Sequence, residues 1–155
     1  GGNVRDSLLF LCLICSFASN AEEPYKLDLS MSYIEGYKST VNGNSFDIDS
    51  FFEHGLGVSY QVELSEFWKA DYNIGLTFSE QGPESQSIYG VYTGIDFEYQ
   101  NFSEQIKPFL GMQIHKPLSS SNTIENTSKF KKSLGFNFYP AKAAYSISFS
   151  VSQSD

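Results

Sequence analysis

His54 and His115 are the only histidines in the chain, and imidazole is the side chain best suited to move a proton near neutral pH. A hydrolytic reading needs a hydroxyl nucleophile beside one of them. His115 is followed by Lys116 and Pro117, and no close His-x-Ser pair occurs. Two histidines with Glu53 nearby fall short of the spaced ligand set that zinc takes. Asp47 and Asp49 have the chemistry for a divalent cation, but solvated loop acids are the commoner case. No glycine-rich phosphate loop, nucleophile elbow or zinc spacing is present. The chain is expected to be non-enzymatic, with no catalytic, cofactor-binding or metal-binding residue and no cofactor.

The remaining reactive side chains are two thiols. Cys12 and Cys15 fall in an apolar stretch that is nearly unbroken over residues 8–14 and is followed by Ser16, Ala18, Ser19 and Ala21. An apolar run ending in small residues is the pattern of a secretory signal peptide. Residues 1–21 are read as that leader and residues 22–155 as the mature domain, which would hold no thiol and no disulfide. Arg5 alone supplies positive charge before the run, Asp6 cancels it, and no initiating Met is present, so a missing N-terminal portion is expected.

Bulk composition narrows the partners. A chain of 155 residues has room for one domain. Net charge is -8, which offers no basic surface to a phosphate backbone, so nucleic acid is not an expected partner. No run reaches the roughly 18 to 20 apolar residues of a spanning helix. Membrane association would therefore need strands.

From Leu27 onward the hydrophobic period is two, the period of a strand. Seven segments carry it: 26–38, 54–65, 68–78, 89–99, 107–116, 130–138 and 145–151. In the second, Leu56, Val58, Tyr60, Val62 and Leu64 alternate with Gly55, Gly57, Ser59, Gln61 and Glu63. In the last, Tyr145, Ile147, Phe149 and Val151 alternate with serines. Connections alternate too. The segments 39–52, 79–87 and 117–129 are longer and rich in Ser, Asn and Gly, whereas 65–67 and 139–142 are tight. Outer-membrane barrels pair short periplasmic turns with longer external loops in this way.

Period two does not say which face is inside. The polar face carries Gly36, Gly55, Gly57, Gly75, Gly90, Gly94, Gly111 and Gly135 with many serines, and a narrow eight-stranded lumen admits little more than small side chains. Aromatic residues gather at both ends of the strands, as they do where a barrel meets the two interfaces of a bilayer. Tyr25, Trp68, Tyr99 and Tyr139 mark the short-turn end, and Tyr37, Phe78, Tyr89 and Phe130 the loop end. The apolar face is nearly free of charge. Lys132 and Glu35 are its exceptions, close to the loop rim where a long side chain can reach water, whereas a mid-bilayer Lys would cost about 2 to 4 kcal/mol. On the polar face, Asp28, Glu63, Lys69, Asp71, Asp96, Glu98 and Lys107 collect toward the short-turn end. They read as a structural salt-bridged plug, with an ion path as the rival.

The segment Lys107-Pro108-Phe109-Leu110-Gly111-Met112-Gln113 resembles the strand opening of the OmpA-like outer membrane protein β-barrel domain family, and the strand pattern follows that family over about residues 27–151. The resemblance implies an all-β, antiparallel, up-and-down transmembrane barrel of the eight-stranded type. Seven strands are visible, and the family closes with an eighth ending in an aromatic residue, so the last strand is expected to be missing. It also implies an outer-membrane location, lipid and lipopolysaccharide as surroundings, a monomer, and a structural or surface-interaction role through loops 39–52, 79–87 and 117–129. The alternatives are an outer-membrane lipid-modifying enzyme, which needs a nucleophile and base on the lipid-facing wall, and a soluble lipocalin-like carrier, which needs the apolar face enclosed.

Overall fold

The computed structural model describes residues 8–17, 24–81, 86–118 and 128–154. Among these lie β1 (Leu8–Phe17), β2 (Tyr25–Ile34), β3 (Tyr37–Val41), β4 (Asn44–Ile48), β5 (Phe51–Glu63), β6 (Trp68–Gln81), β7 (Gln86–Tyr99), β8 (Ile106–Pro117), β9 (Lys129–Phe138) and β10 (Tyr145–Ser154). Eight of them close a barrel in the order β1-β10-β9-β8-β7-β6-β5-β2, and β3 pairs with β4 in a separate ribbon. Every barrel pair is antiparallel. The all-β antiparallel barrel that the period-two pattern predicts is the observed fold.

Alternation becomes geometry through register. Between β5 and β6, Leu56 faces Leu76, Val58 faces Ile74 and Tyr60 faces Tyr72, while Gly57 faces Gly75 and Ser59 faces Asn73. Residues directly opposite in an antiparallel pair share a face. The apolar set is on the outside: Leu56, Ile74 and Leu76 are 52%, 59% and 58% exposed, whereas Ser59 and Asn73 are buried. Along β10, Ser146, Ser148, Ser150, Ser152 and Ser154 are all buried, and Phe149 and Val151 between them are exposed. Small and polar residues fill the inside of this barrel, and its large apolar residues cover the outside.

One barrel strand comes from outside the seven periodic segments. The seven periodic segments do form strands, but the barrel is closed by an eighth drawn from the N-terminal side. It is the apolar run assigned to the leader, which forms β1. Leu8–Phe17 pairs with β10 on one side, Cys12 opposite Ser150, and with β2 on the other, Cys12 opposite Ser32. An unpaired edge on β2 and β10 would leave a row of amide groups without partners, and β1 supplies ladders to both. An unbroken apolar run has no period to read, so its strand character was hidden. Leu8 lies opposite Ser154, so β1 begins and β10 ends at the barrel end that carries the ribbon. The rest of the segment read as the leader, 1–7 and 18–21, lies outside the described residues.

The loop boundaries also change. The segment 39–52 holds the β3–β4 ribbon, in which Asn42 and Gly43 take φ of 52° and 79° at its tip, the left-handed pair that an Asn-Gly hairpin turn requires. Of the segment 79–87, residues 82–85 lie outside the described residues, and Ser79, Glu80 and Gln81 are ladder, paired with Ile88, Ser87 and Gln86. Polar residues there concealed two strands that continue past their apolar belt. Of the loop 117–129, residues 119–127 lie outside the described residues.

The other barrel end is knit by its turns. Ser65 Oγ accepts from the amides of Phe67 and Trp68, both at 3.2 Å, and Ser103 Oγ accepts from those of Gln105 and Ile106 at 3.3 and 3.4 Å. Neighbouring turns are joined as well. Gln100 N donates to Phe67 O and Tyr139 N to Gln105 O, each at 2.7 Å.

Candidate functional site

Inside the barrel, side chains from β2, β5, β6, β7, β8, β9 and β10 converge because each strand turns every second residue inward. Near the short-turn end the centre is Glu98 on β7, 1% exposed. One carboxylate oxygen accepts from Gln100 Nε2 at 2.8 Å. The other accepts from Asn137 Nδ2 and from the Tyr139 hydroxyl. Asn137 Oδ1 in turn accepts from Ser148 Oγ, and Lys107 Nζ donates to Gln100 Oε1 at 2.9 Å. Lys26 Nζ stands over the Tyr139 ring, 5.3 Å from its centroid. Burial and the adjacent Glu98 carboxylate push the Tyr139 phenol well above its usual value, so it remains a donor.

Above this network, Asp71 and Asp96 face one another across the β6–β7 ladder, and a buried Asp71 carboxylate oxygen has no hydrogen-bond partner. Asp28 and Lys26 reach the same space, a polar cavity of about 40 Å³ that Asn73 and Tyr92 also line. It has room for a few water molecules. A wider cavity of about 190 Å³ opens at the short-turn mouth among Lys26, Gln61, Lys69, Glu98, Lys107 and Tyr139. Nearer the ribbon end, Tyr92 stacks on His115 with centroids 5.6 Å apart. His115 Nε2 lies 2.8 Å from Gln113 Oε1, and Gln113 Nε2 donates to Asn73 Oδ1 at 3.1 Å. Tyr92 fits because a glycine lies beneath it. A Cβ on Gly75 would stand 2.5 Å from Tyr92 Cζ.

The lumen cluster expected from sequence is assembled, with one exception. Asp28, Lys69, Asp71, Asp96, Glu98 and Lys107 all line the two cavities. Glu63 does not: it ends β5, opposite Lys69 in register, and is exposed. Hydrogen bonds through amides, a phenol and a serine hydroxyl join Glu98, Gln100, Lys107, Asn137, Tyr139 and Ser148 into one network of this plug. Lys26, Asn73, Tyr92, Gln113 and Asn137 belong to it and were not singled out. Their signal was parity alone, since each occupies the small-residue face of its strand.

Of the aromatic residues expected at the two rims, six lie near the ends of barrel strands. Tyr25 packs on Tyr60 and Trp68 on Tyr99, with centroids 4.9 and 5.2 Å apart. At the opposite end Phe78 packs on Tyr89 at 5.3 Å, Phe130 sits beneath Lys132, and Tyr37 opens β3. Tyr139 is corrected: it turns inward to Glu98, because a hydroxyl donor at the end of β9 satisfies a buried carboxylate. The histidines lie on opposite sides of the wall. His54, opposite Met31 and Phe78 in register, is exposed on the outer face, and His115 is inside. Among the described residues no group of His, Cys, Asp or Glu is arranged to hold a metal ion. Asp47 and Asp49 are exposed. No family model matches the chain, and no curated protein or solved structure is significantly similar to it.

Proposed function

We propose that this chain is a non-enzymatic, membrane-spanning barrel of a Gram-negative outer membrane, of the OmpA-like kind. The barrel serves as anchor, and loops 39–52, 79–87 and 117–129, the first holding the β3–β4 ribbon, serve external partners. One observation carries the reading. The outside of the barrel is an apolar belt, from Leu27, Leu29 and Met31 on β2 to Leu134 and Phe136 on β9, at 42% to 62% exposure, over an interior of buried serine, asparagine and carboxylate. Water-soluble monomers rarely show a contiguous apolar patch beyond a few hundred Å². Lipid is the solvent that fits such an outside, and a closed ladder leaves no strand edge in it. Paired aromatic rings at both ends match the two interfaces. A lipophile carrier needs the opposite arrangement, an apolar cavity, and both cavities described above hold several charged and amide side chains.

Trp68, the single tryptophan, tests this. With the full chain refolded into vesicles, lipids brominated near the headgroup should quench its fluorescence strongly, and lipids brominated at the chain end weakly. Equal and negligible quenching by both would sink the reading.

A further inference from the structure

Among the described residues, charge is sparse on the outer face of the barrel strands, and its two lysines, the expected Lys132 and the unexpected Lys116, lie on neighbouring strands. Lys116 on β8 and Lys132 on β9 are both exposed and sit at the parity of Met112, Ile114, Phe130 and Leu134. In register Lys132 faces Met112, and Lys116 lies one residue beyond His115, which faces Lys129. The two α-carbons therefore stand four rungs apart along the strands, roughly 13 Å. Lys132 shortens that gap. Its Nζ turns toward the ribbon end and lies 5.8 Å from the centroid of the Phe130 ring, the bend by which a lysine on an apolar surface reaches a polar layer. No acid occupies an outward strand position on β7, β8, β9 or β10, so this pair has no counter-charge on the described wall around it.

We propose that Lys116 and Lys132 form a binding site for the phosphate of an anionic lipid headgroup in the leaflet at the ribbon end, with Ile114 and Phe130 against the acyl chain. The inference rests on the membrane reading above and adds a specific ligand chemistry to it. Two lysines supply point charges that match a phosphate without demanding one geometry. Ile114 and Phe130, which face each other on the rung between the two lysines, favour a phosphate carried on a lipid over one free in water.

The full chain, refolded into micelles, is exchanged into bicelles of equal dimyristoyl phosphatidic acid and dimyristoyl phosphatidylcholine, and retained lipids are counted by native mass spectrometry. The wild-type chain should retain phosphatidic acid preferentially. Lys116→Gln and Lys132→Gln should each lower that preference about fivefold. Lys142→Gln, in the turn at the opposite end, should leave it unchanged. Equal retention of both lipids by a folded wild-type chain overturns the site, as does an equal loss in Lys142→Gln. A chain that does not fold in micelles or bicelles at all fails the membrane reading and takes this site with it.

Discussion

The Tyr139 hydroxyl points into the barrel and donates to the same Glu98 oxygen that Asn137 Nδ2 reaches. A ring at the end of a strand thereby becomes part of the plug and not of the rim. Tyr139→Phe removes a hydrogen bond to a buried carboxylate and should lower unfolding stability in micelles by about 1.5 to 3 kcal/mol, read by urea titration. A change below about 0.5 kcal/mol, as at an exposed site, would return Tyr139 to the rim.

Gly75 and Tyr92 are complementary in volume. Gly75→Ala places a methyl group against the Tyr92 ring and should cost about 1 to 3 kcal/mol through overpacking. Pairing it with Tyr92→Leu should recover part of that loss, so the double-mutant cycle should show coupling above about 0.5 kcal/mol. Additive losses would mean that the ring does not occupy that space.

The outer belt offers a test in which lipid and water give opposite results. Ile74 is 59% exposed, near the middle of β6. Ile74→Lys should cost about 2 to 4 kcal/mol for the chain folded in a bilayer, whereas a lysine exposed to water at the same position would change stability by at most about 0.5 kcal/mol. Denaturant unfolding from vesicles reads the difference directly.

What the sequence carried and what it concealed follow from the physics of a two-sided wall. On β5, β6 and β10 nearly every second residue is glycine, serine or another polar group, and that alternation, with the small size of one face and the rings at the strand ends, placed Ser59, Asn73 and Ser148 inside. Strand ends were less legible. Ser79, Glu80 and Gln81 extend β6 with polar residues on both faces, and the Asn42-Gly43 turn folds part of an apparent loop into a ribbon. Glu63 and Tyr139 were misplaced because parity no longer fixes burial at the mouth of a barrel: Glu63 ends β5 exposed, and the Tyr139 hydroxyl turns inward to Glu98. β1 was hidden most completely, because Leu, Ile, Phe and Cys on consecutive positions satisfy an export leader and a strand equally well.

That double character of β1 is itself testable. Leu13 lies opposite Phe149 on β10 and Met31 on β2, so β1 has a neighbour on each side and a proline there removes a ladder donor. Leu13→Pro in the full chain should abolish the compact, unboiled band on a denaturing gel. An unchanged band would show that the barrel closes without Leu8–Phe17.

The most direct measurement of the membrane reading compares the full chain refolded in plain buffer with the chain refolded in detergent micelles, by size-exclusion chromatography and by gel migration before and after boiling. The expected result is aggregation in buffer, together with a folded monomer in micelles whose migration shifts on boiling. A folded, soluble monomer in plain buffer would contradict the account, because the belt from Leu27 to Phe136 would then be stable against water.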